Sequence, residues 1–134
     1  MSGETDLDRL LSGLDPRLHD TPYGFALITP PDGLPAGLLP FALVWEDEGL
    51  TVIATLDALA HAGLAVESPW ARITMTVHSA LAAVGLTAAM AGALTEAGIS
   101  ANVVAGFHHD HVFVPWPRRD EAVAVLRALG QAKP

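Results

Sequence analysis

Residues 72–130 read RITMTVHSALAAVGLTAAMAGALTEAGISANVVAGFHHDHVFVPWPRRDEAVAVLRALG, and this stretch decides the fold. Its hydrophobic residues alternate over Arg72–Val77, which predicts a strand with one buried face. They then recur at helical spacing from Leu86 until Gly98 ends the helix. Two strands and a helix follow, predicted over Ile99–Phe107, over His111–Val114, and from Pro117 to Gly130. The order β-α-β-β-α is that of a ferredoxin-like βαββαβ unit without its last strand.

The first half of the chain predicts a second, shorter set of elements of the same kind. A leucine-rich helix over residues 7–14 ends at Asp15-Pro16. Strands are predicted over Tyr23–Thr29, Phe41–Trp45 and Leu50–Thr55, followed by a helix over Asp57–Ala62. We therefore expect an α+β, ferredoxin-like protein of two degenerate βαββαβ units in tandem, with antiparallel sheets and helices on one face.

The strand count predicts self-association. Six strands are predicted from the sequence, whereas two complete units need eight. Either the two halves complete each other, or a second chain completes them. Exposed sheet edges are a liability that pairing removes, so the expected state is a homodimer.

Composition excludes several classes of function. The chain has 134 residues and a net charge of −8 with only seven Lys and Arg, which argues against binding to nucleic acid. It contains no cysteine, so disulfides and thiolate metal sites are excluded. The first ten residues, MSGETDLDRL, are acidic and polar, unlike a signal peptide, so the expected compartment is the cytoplasm. Residues 73–95 carry no Asp, Glu, Lys or Arg, but their many alanines favour a buried strand and a tightly packed helix over a membrane span.

Three blocks carry a resemblance to a known family: WEDEGLTVI, ITMTVHSALAAVGLTAAMAGAL and NVVAGFHHDHVFVP. They resemble blocks of a group of small, stand-alone bacterial proteins with tandem ACT-like domains, related to the regulatory ACT domains of aspartokinases. The resemblance covers nearly the whole chain. It implies an N-terminal ACT-like unit over residues 1–67, which includes the first helix, and a C-terminal unit over residues 68–134. It also implies a regulatory protein, not an enzyme, that binds an amino acid or similar small molecule at an interface between ACT-like units, without a cofactor.

The same resemblance points to the loop between the first strand and first helix of the C-terminal unit. Carried over by position, this loop runs from His78 and Ser79 to Gly85, and the helix begins near Leu86-Thr87. Free backbone N–H groups at a helix start suit the carboxylate of an amino acid, and the hydroxyl of Ser79 or Thr87 can add a donor. The alternative is that these two residues only cap the loop and the helix.

The remaining candidates lie in the last predicted hairpin. Asn102 stands on a strand, on the opposite face from Ala101 and Val103, where it can bind a ligand or satisfy a strand edge. His109 and His111 share a strand face with Phe113, while Asp110 points the other way. We expect the two histidines to give a small polar ligand hydrogen bonds that vary between about pH 5.5 and 7.5, because histidine titrates near neutrality.

Other functions of these residues stay open. A zinc or nickel ion on His109 and His111 lacks a third ligand at local spacing, and His19, His61 and His78 can join only through folding. The signatures GxSxG, GxxxxGK[ST] and GxGxxG are absent, so the sequence does not support a hydrolase, a phosphate-loop enzyme or a dinucleotide fold. A structural or partner-binding module without a ligand is the alternative to the sensor.

Overall fold

The computed structural model describes residues 6–77 and 83–131. Its contacts group residues 20–70 into one compact unit, here called the inserted unit, and residues before 20 with those from 71 onward into another, the outer unit. The elements in chain order are α1 (Leu7–Ser12), β1 (Pro16–Leu18), β2 (Tyr23–Ile28), β3 (Ala42–Glu46), β4 (Gly49–Thr55), α2 (Leu56–His61), β5 (Trp70–Met75), α3 (Leu86–Glu96), β6 (Asn102–Ala105), β7 (Asp110–Pro115), a 3₁₀ turn (Trp116–Arg118) and α4 (Arg119–Gln131).

The outer unit has the strand order β1-β5-β7-β6. β1 pairs antiparallel with β5, with Arg17 opposite Thr74, and β6 and β7 form an antiparallel hairpin. This is the strand order of a ferredoxin-like unit, in which the N-terminal segment supplies the fourth strand. Helices α1, α3 and α4 contribute to a core on one side of the sheet, whose fully buried members include Leu10, Ile73, Met75, Met90, Leu94, Val112, Val114 and Leu126.

The inserted unit is built on the antiparallel strands β3, β4 and β2, in that order. On the far side of β2, Tyr23 pairs with Trp70, the first residue of β5. Helix α2 begins after its N-cap Thr55, whose hydroxyl accepts a hydrogen bond from the backbone N–H of Ala58. A second core lies between this helix and one sheet face and contains Ala26, Ile28, Leu38, Leu50, Val52, Ala54 and Leu59.

The predicted fold class is confirmed, and one part of the strand count is wrong. The sequence predicts that the first helix ends at Asp15-Pro16 and that no strand follows it there, whereas Pro16–Leu18 form β1. A strand of three residues that begins with proline has almost no pattern of its own, and pairing with β5 creates it. Because β1 supplies the fourth strand of the outer unit within the chain, that unit does not need a second chain to complete its sheet.

Two further expectations concern the whole chain. The division into units of residues 1–67 and 68–134 stays a prediction. The compact units described above group the residues differently, because residues before 20 belong with those from 71 onward. The uncharged residues 73–95 contribute to β5 and α3. Among residues 6–77 and 83–131, no helix is long and apolar enough to cross a membrane.

Candidate functional site

Two histidines and a threonine meet on the outer unit's sheet. Alternation along β5 places Ala71, Ile73 and Met75 in the core, so Arg72 and Thr74 lie on the opposite face. The Thr74 Oγ1 lies 2.8 Å from His19 Nε2 and 2.9 Å from His111 Nδ1. A hydroxyl has one proton, so with both rings neutral it donates to one ring nitrogen and accepts from the N–H of the other. The three side chains therefore form one continuous hydrogen-bonded chain across β1, β5 and β7.

The surroundings of these three hydrogen-bonded side chains disfavour the charged form of His111. Burial is the largest cause, followed by the positive charges of Arg72, His109 and His19, and together they lower the pKa of His111 to about 4. His111 therefore stays neutral between pH 5.5 and 7.5. Titration of its ring in that range is therefore not favoured, because the ring is partly buried and lies near Arg72, whereas pH-dependent ligand binding through the histidines stays a prediction.

The lowered pKa of His111 makes the stability of the protein depend on pH. The pKa of His111 is about 4 in the folded state and lies below the usual 6.5 of the unfolded chain. Between these two values the unfolded chain binds more protons than the folded protein. The free energy of unfolding therefore falls as the pH drops from 6.5 toward 4. The ring is partly buried, and we expect His111 to account for about 1–2 kcal/mol of this loss. Urea unfolding of wild type and His111→Asn across this range measures it, because the variant lacks that part of the slope. At pH 8, where the ring is neutral in both states, the difference between the two proteins reports the lost hydrogen bond to Thr74 together with the change in packing. Parallel pH profiles would contradict the assignment.

Asp110 occupies the other side of β7. It is 9% exposed and lies on the same side as Val112 and Val114, which face the core. Burial raises the pKa of its carboxyl group, and His109 partly opposes this by lowering it. The carboxylate makes no hydrogen bond to a described residue. No described residue therefore donates a hydrogen bond to this buried carboxyl group.

The start of α3 offers backbone donors. Its N-cap is Gly85, with φ of 99° and no side-chain hydrogen bond to the first turn. Gly85 lies close to the side chain of Leu7. A Cβ added to Gly85 would lie only 3.0 Å from the Cδ2 atom of Leu7, so this position requires a glycine. Leu86 is buried in the core, so it can offer a ligand only its backbone, whereas Thr87 is exposed. Thr87 does not provide the cap of α3.

The structure divides the predicted site residues between two places. His111 lies with Thr74 on one sheet face, and Asn102, opposite Phe113 on the neighbouring strand, lies on that face too. Asp110 lies on the other side of β7. The side chain of Thr74, next to the last residue of β5, hydrogen-bonds to His111, the second residue of β7, so the end of β5 lies beside the beginning of β7. Since α3 follows β5 in the chain, Asp110 and the start of α3 lie at the same end of the sheet. Phe113 is fully buried and offers no open aromatic surface. His78 and Ser79 lie outside the described residues.

Sequence reasoning missed Arg72 and Thr74 as members of this cluster, and it named His19 only as a histidine that folding could bring to His109 and His111. His19 follows β1 and its backbone N–H donates to the carbonyl of Arg72 at 3.0 Å, a pairing of residues far apart in sequence. The one available signal was the alternation of Arg72 and Thr74 with apolar residues, which places both on one face. The described residues contain no group of three His, Asp or Glu side chains that could hold a metal ion.

Comparison with family models identifies the chain. Two models, each described as an ACT domain, match residues 2–71 and residues 65–128. The chain belongs to the ACT domain family. ACT domains are generally regulatory domains that bind small ligands such as amino acids. No curated protein matches this ACT protein in sequence.

Solved structures with the same fold agree with this assignment. A Vibrio cholerae protein of unknown function, described as a possible transport protein, is 39% identical, with a TM-score of 0.81 over 92% of this chain and 95% of the other. An Agrobacterium tumefaciens protein is 20% identical, with a TM-score of 0.74 over 87% and 89%. The regulatory subunit of aspartate kinase from Thermus thermophilus is 14% identical, with a TM-score of 0.59 over 85% and 95%. At their low identity, the last two share the fold alone.

Proposed function

We propose that this ACT protein is a regulatory sensor that binds a free amino acid. The observation that supports this best is the pair of ACT matches, which together span residues 2–128. A protein made of these domains has ligand binding and regulation as its expected role, and we propose that the chain has no catalytic activity of its own. The cytoplasm stays the expected compartment.

The outer unit supports this proposal with two complementary groups. The first turn of α3 presents backbone N–H groups without a side-chain cap, which suit the α-carboxylate of an amino acid. Asp110, at the same end of the sheet, is a buried carboxylate that an α-ammonium group would neutralise. An ammonium beside it would favour its charged form. Gly85, Leu86, Thr87 and Asp110 are therefore the proposed ligand residues, and His109, His111 and Asn102 are a second, neighbouring group. His78 and Ser79 stay predictions.

A thermal-shift screen of the twenty amino acids tests this function. A specific ligand at a hundredfold excess over its Kd adds about 2.7 kcal/mol to the free energy of unfolding. For any amino acid that binds, we expect Thr87→Glu to weaken binding about tenfold, because a carboxylate beside the first turn of α3 repels the carboxylate of the ligand. Calorimetric titration of the variant measures the affinity.

The matched control is Thr87→Gln, because glutamine has nearly the same shape as glutamate but no charge. Its affinity for the amino acid should be within about twofold of that of the wild type. Both variants should fold, because Thr87 is exposed and a glutamate in the first turn of a helix is favourable. Gly85→Val is a poorer test, since it strains a left-handed backbone against Leu7. If none of the twenty amino acids raises the melting temperature, the sensor proposal is wrong and a partner-binding module takes its place.

We also propose that the chain forms a homodimer, which would supply the interface between ACT-like units where the resemblance puts the ligand. The support is now the outermost strand of the inserted unit, β3, whose Trp45 is 75% exposed beside an exposed Val44. Such an edge favours pairing with another strand. Light scattering at micromolar concentration should show twice the mass of the 14.0 kDa chain. A species of single-chain mass at all concentrations would contradict the dimer.

A further inference from the structure

The charge of this protein is divided very unequally between its two units. Residues 20–70 contain seven acidic residues and neither Lys nor Arg, so the inserted unit carries nearly all of the net charge of −8. The only side chain of this unit that can carry a positive charge is therefore that of its single histidine, His61. A ligand that binds this unit meets a surface with no competing cation of its own.

An open groove with a volume of about 560 Å³ lies in the inserted unit. Phe25 and Leu27 of β2 provide its apolar floor together with Ala65, and Ala26 lies between the first two with its side chain in the core on the other face of the sheet. Leu27 is 50% exposed, and the cross-strand pairing places it in one row with Thr51 and the exposed Val44. Phe25 packs edge to face against Trp70 at 5.8 Å between ring centroids, which fixes that end of the floor. The groove is thus an apolar surface of a size that suits a small molecule.

Three carboxylates border this floor: Glu46, Glu48 and Glu67. The Thr51 hydroxyl donates to Oε1 of Glu46, which orients that carboxylate toward the groove side of β3. None of the three glutamates has an ion-pair partner among the described residues. An apolar floor bordered by unpaired carboxylates is complementary to a molecule with an aliphatic body and a cationic end.

We propose that this groove binds a small aliphatic cation, an alkyl chain that carries an ammonium or guanidinium group. The alkyl chain lies on Phe25 and Leu27, and the cation lies between the carboxylates of Glu46, Glu48 and Glu67. This site is separate from the amino-acid site proposed at the start of α3. Its size and openness fit a small molecule, and its charge excludes an anionic one.

The test uses n-hexylamine as the probe, with n-hexanol and hexanoate as matched compounds of the same chain length. Titrations of the full-length protein are followed by amide NMR at low ionic strength. Hexylamine should shift the amide signals of Leu27 and Thr51, hexanol should bind about tenfold more weakly, and hexanoate should not bind. Glu48→Gln and Glu67→Gln should each weaken hexylamine binding about three- to fivefold, and 0.5 M salt should weaken it as well.

The control variant is Asp57→Asn, which removes one exposed negative charge of the same unit outside the groove and should change the affinity less than twofold. Thr87→Glu should leave hexylamine binding unchanged, so failure of the amino-acid proposal and failure of this one are distinguishable. Absence of hexylamine binding would overturn the inference. So would equal losses in Glu48→Gln and Asp57→Asn, which would indicate only general attraction. A lysine- and leucine-containing peptide that binds more than about a hundredfold tighter than hexylamine would overturn it in favour of a protein partner.

Discussion

A Leu10→Ala variant should lose about 2–5 kcal/mol of the free energy of unfolding, a large part of the stability of a chain of this size. Leu10 is on the short helix α1, yet its side chain is fully buried in the outer unit's core with Ile73, Val112 and Leu126. Truncation to alanine leaves a cavity between residues that are rigidly placed by β5, β7 and α4. Urea unfolding followed by circular dichroism measures the loss.

Leu39→Ala is the matched control, because Leu39 is 85% exposed and its truncation should cost less than about 0.5 kcal/mol. Hydrogen exchange then locates the effect. With α1 in the outer unit, protection should fall most in β5 and β7. A loss confined to β2 and β4 would instead support the division of the chain near residue 67. A total cost of less than about 1 kcal/mol would contradict the burial of Leu10.

A Gly49→Ala variant should lose about 3 kcal/mol. Gly49 follows the acidic turn after β3 and begins β4 with φ of 155°, and an added Cβ would lie 2.5 Å from the backbone carbonyl oxygen of Ile28. Ile28 is on β2, which pairs directly with β4, so the carbonyl cannot move without breaking that pairing. Thermal and urea unfolding of the purified variant measure the loss.

Gly33→Ala controls for the general effect of replacing glycine. No atom lies within 4 Å of the position that a Cβ would take at Gly33, and its backbone is not left-handed. Alanine there should therefore be neutral or stabilising by up to about 1 kcal/mol. A Gly49→Ala variant as stable as Gly33→Ala would show that the β2–β4 pairing is looser than described.

The candidate site shows where pattern reasoning succeeds and where it stops. Alternation along the last hairpin correctly separated Asp110 from His111, and it placed Asn102 on the face opposite Ala101 and Val103, which pack against the core. It could not supply His19 as a neighbour of Thr74, because that contact joins residues 55 positions apart in the sequence. It also assumed an ordinary titration for His111, whose pKa is lowered mainly by burial and by Arg72, which lies far away in sequence, and further by His109 and His19.

The sequence by itself determined the elements that have a long periodic pattern. The strand at β5, the amphipathic helix α4 and the hairpin of β6 and β7 were all predicted from apolar spacing, because such spacing is a property of neighbours along the chain. Only the tertiary structure decided how the βαββαβ order is completed. β1 has three residues and a proline, and it is a strand because β5 offers it an antiparallel partner more than fifty residues later. The same long-range pairing brings His19 to Thr74 and buries Leu10, so both the core and the histidine cluster depend on contacts that no local pattern encodes.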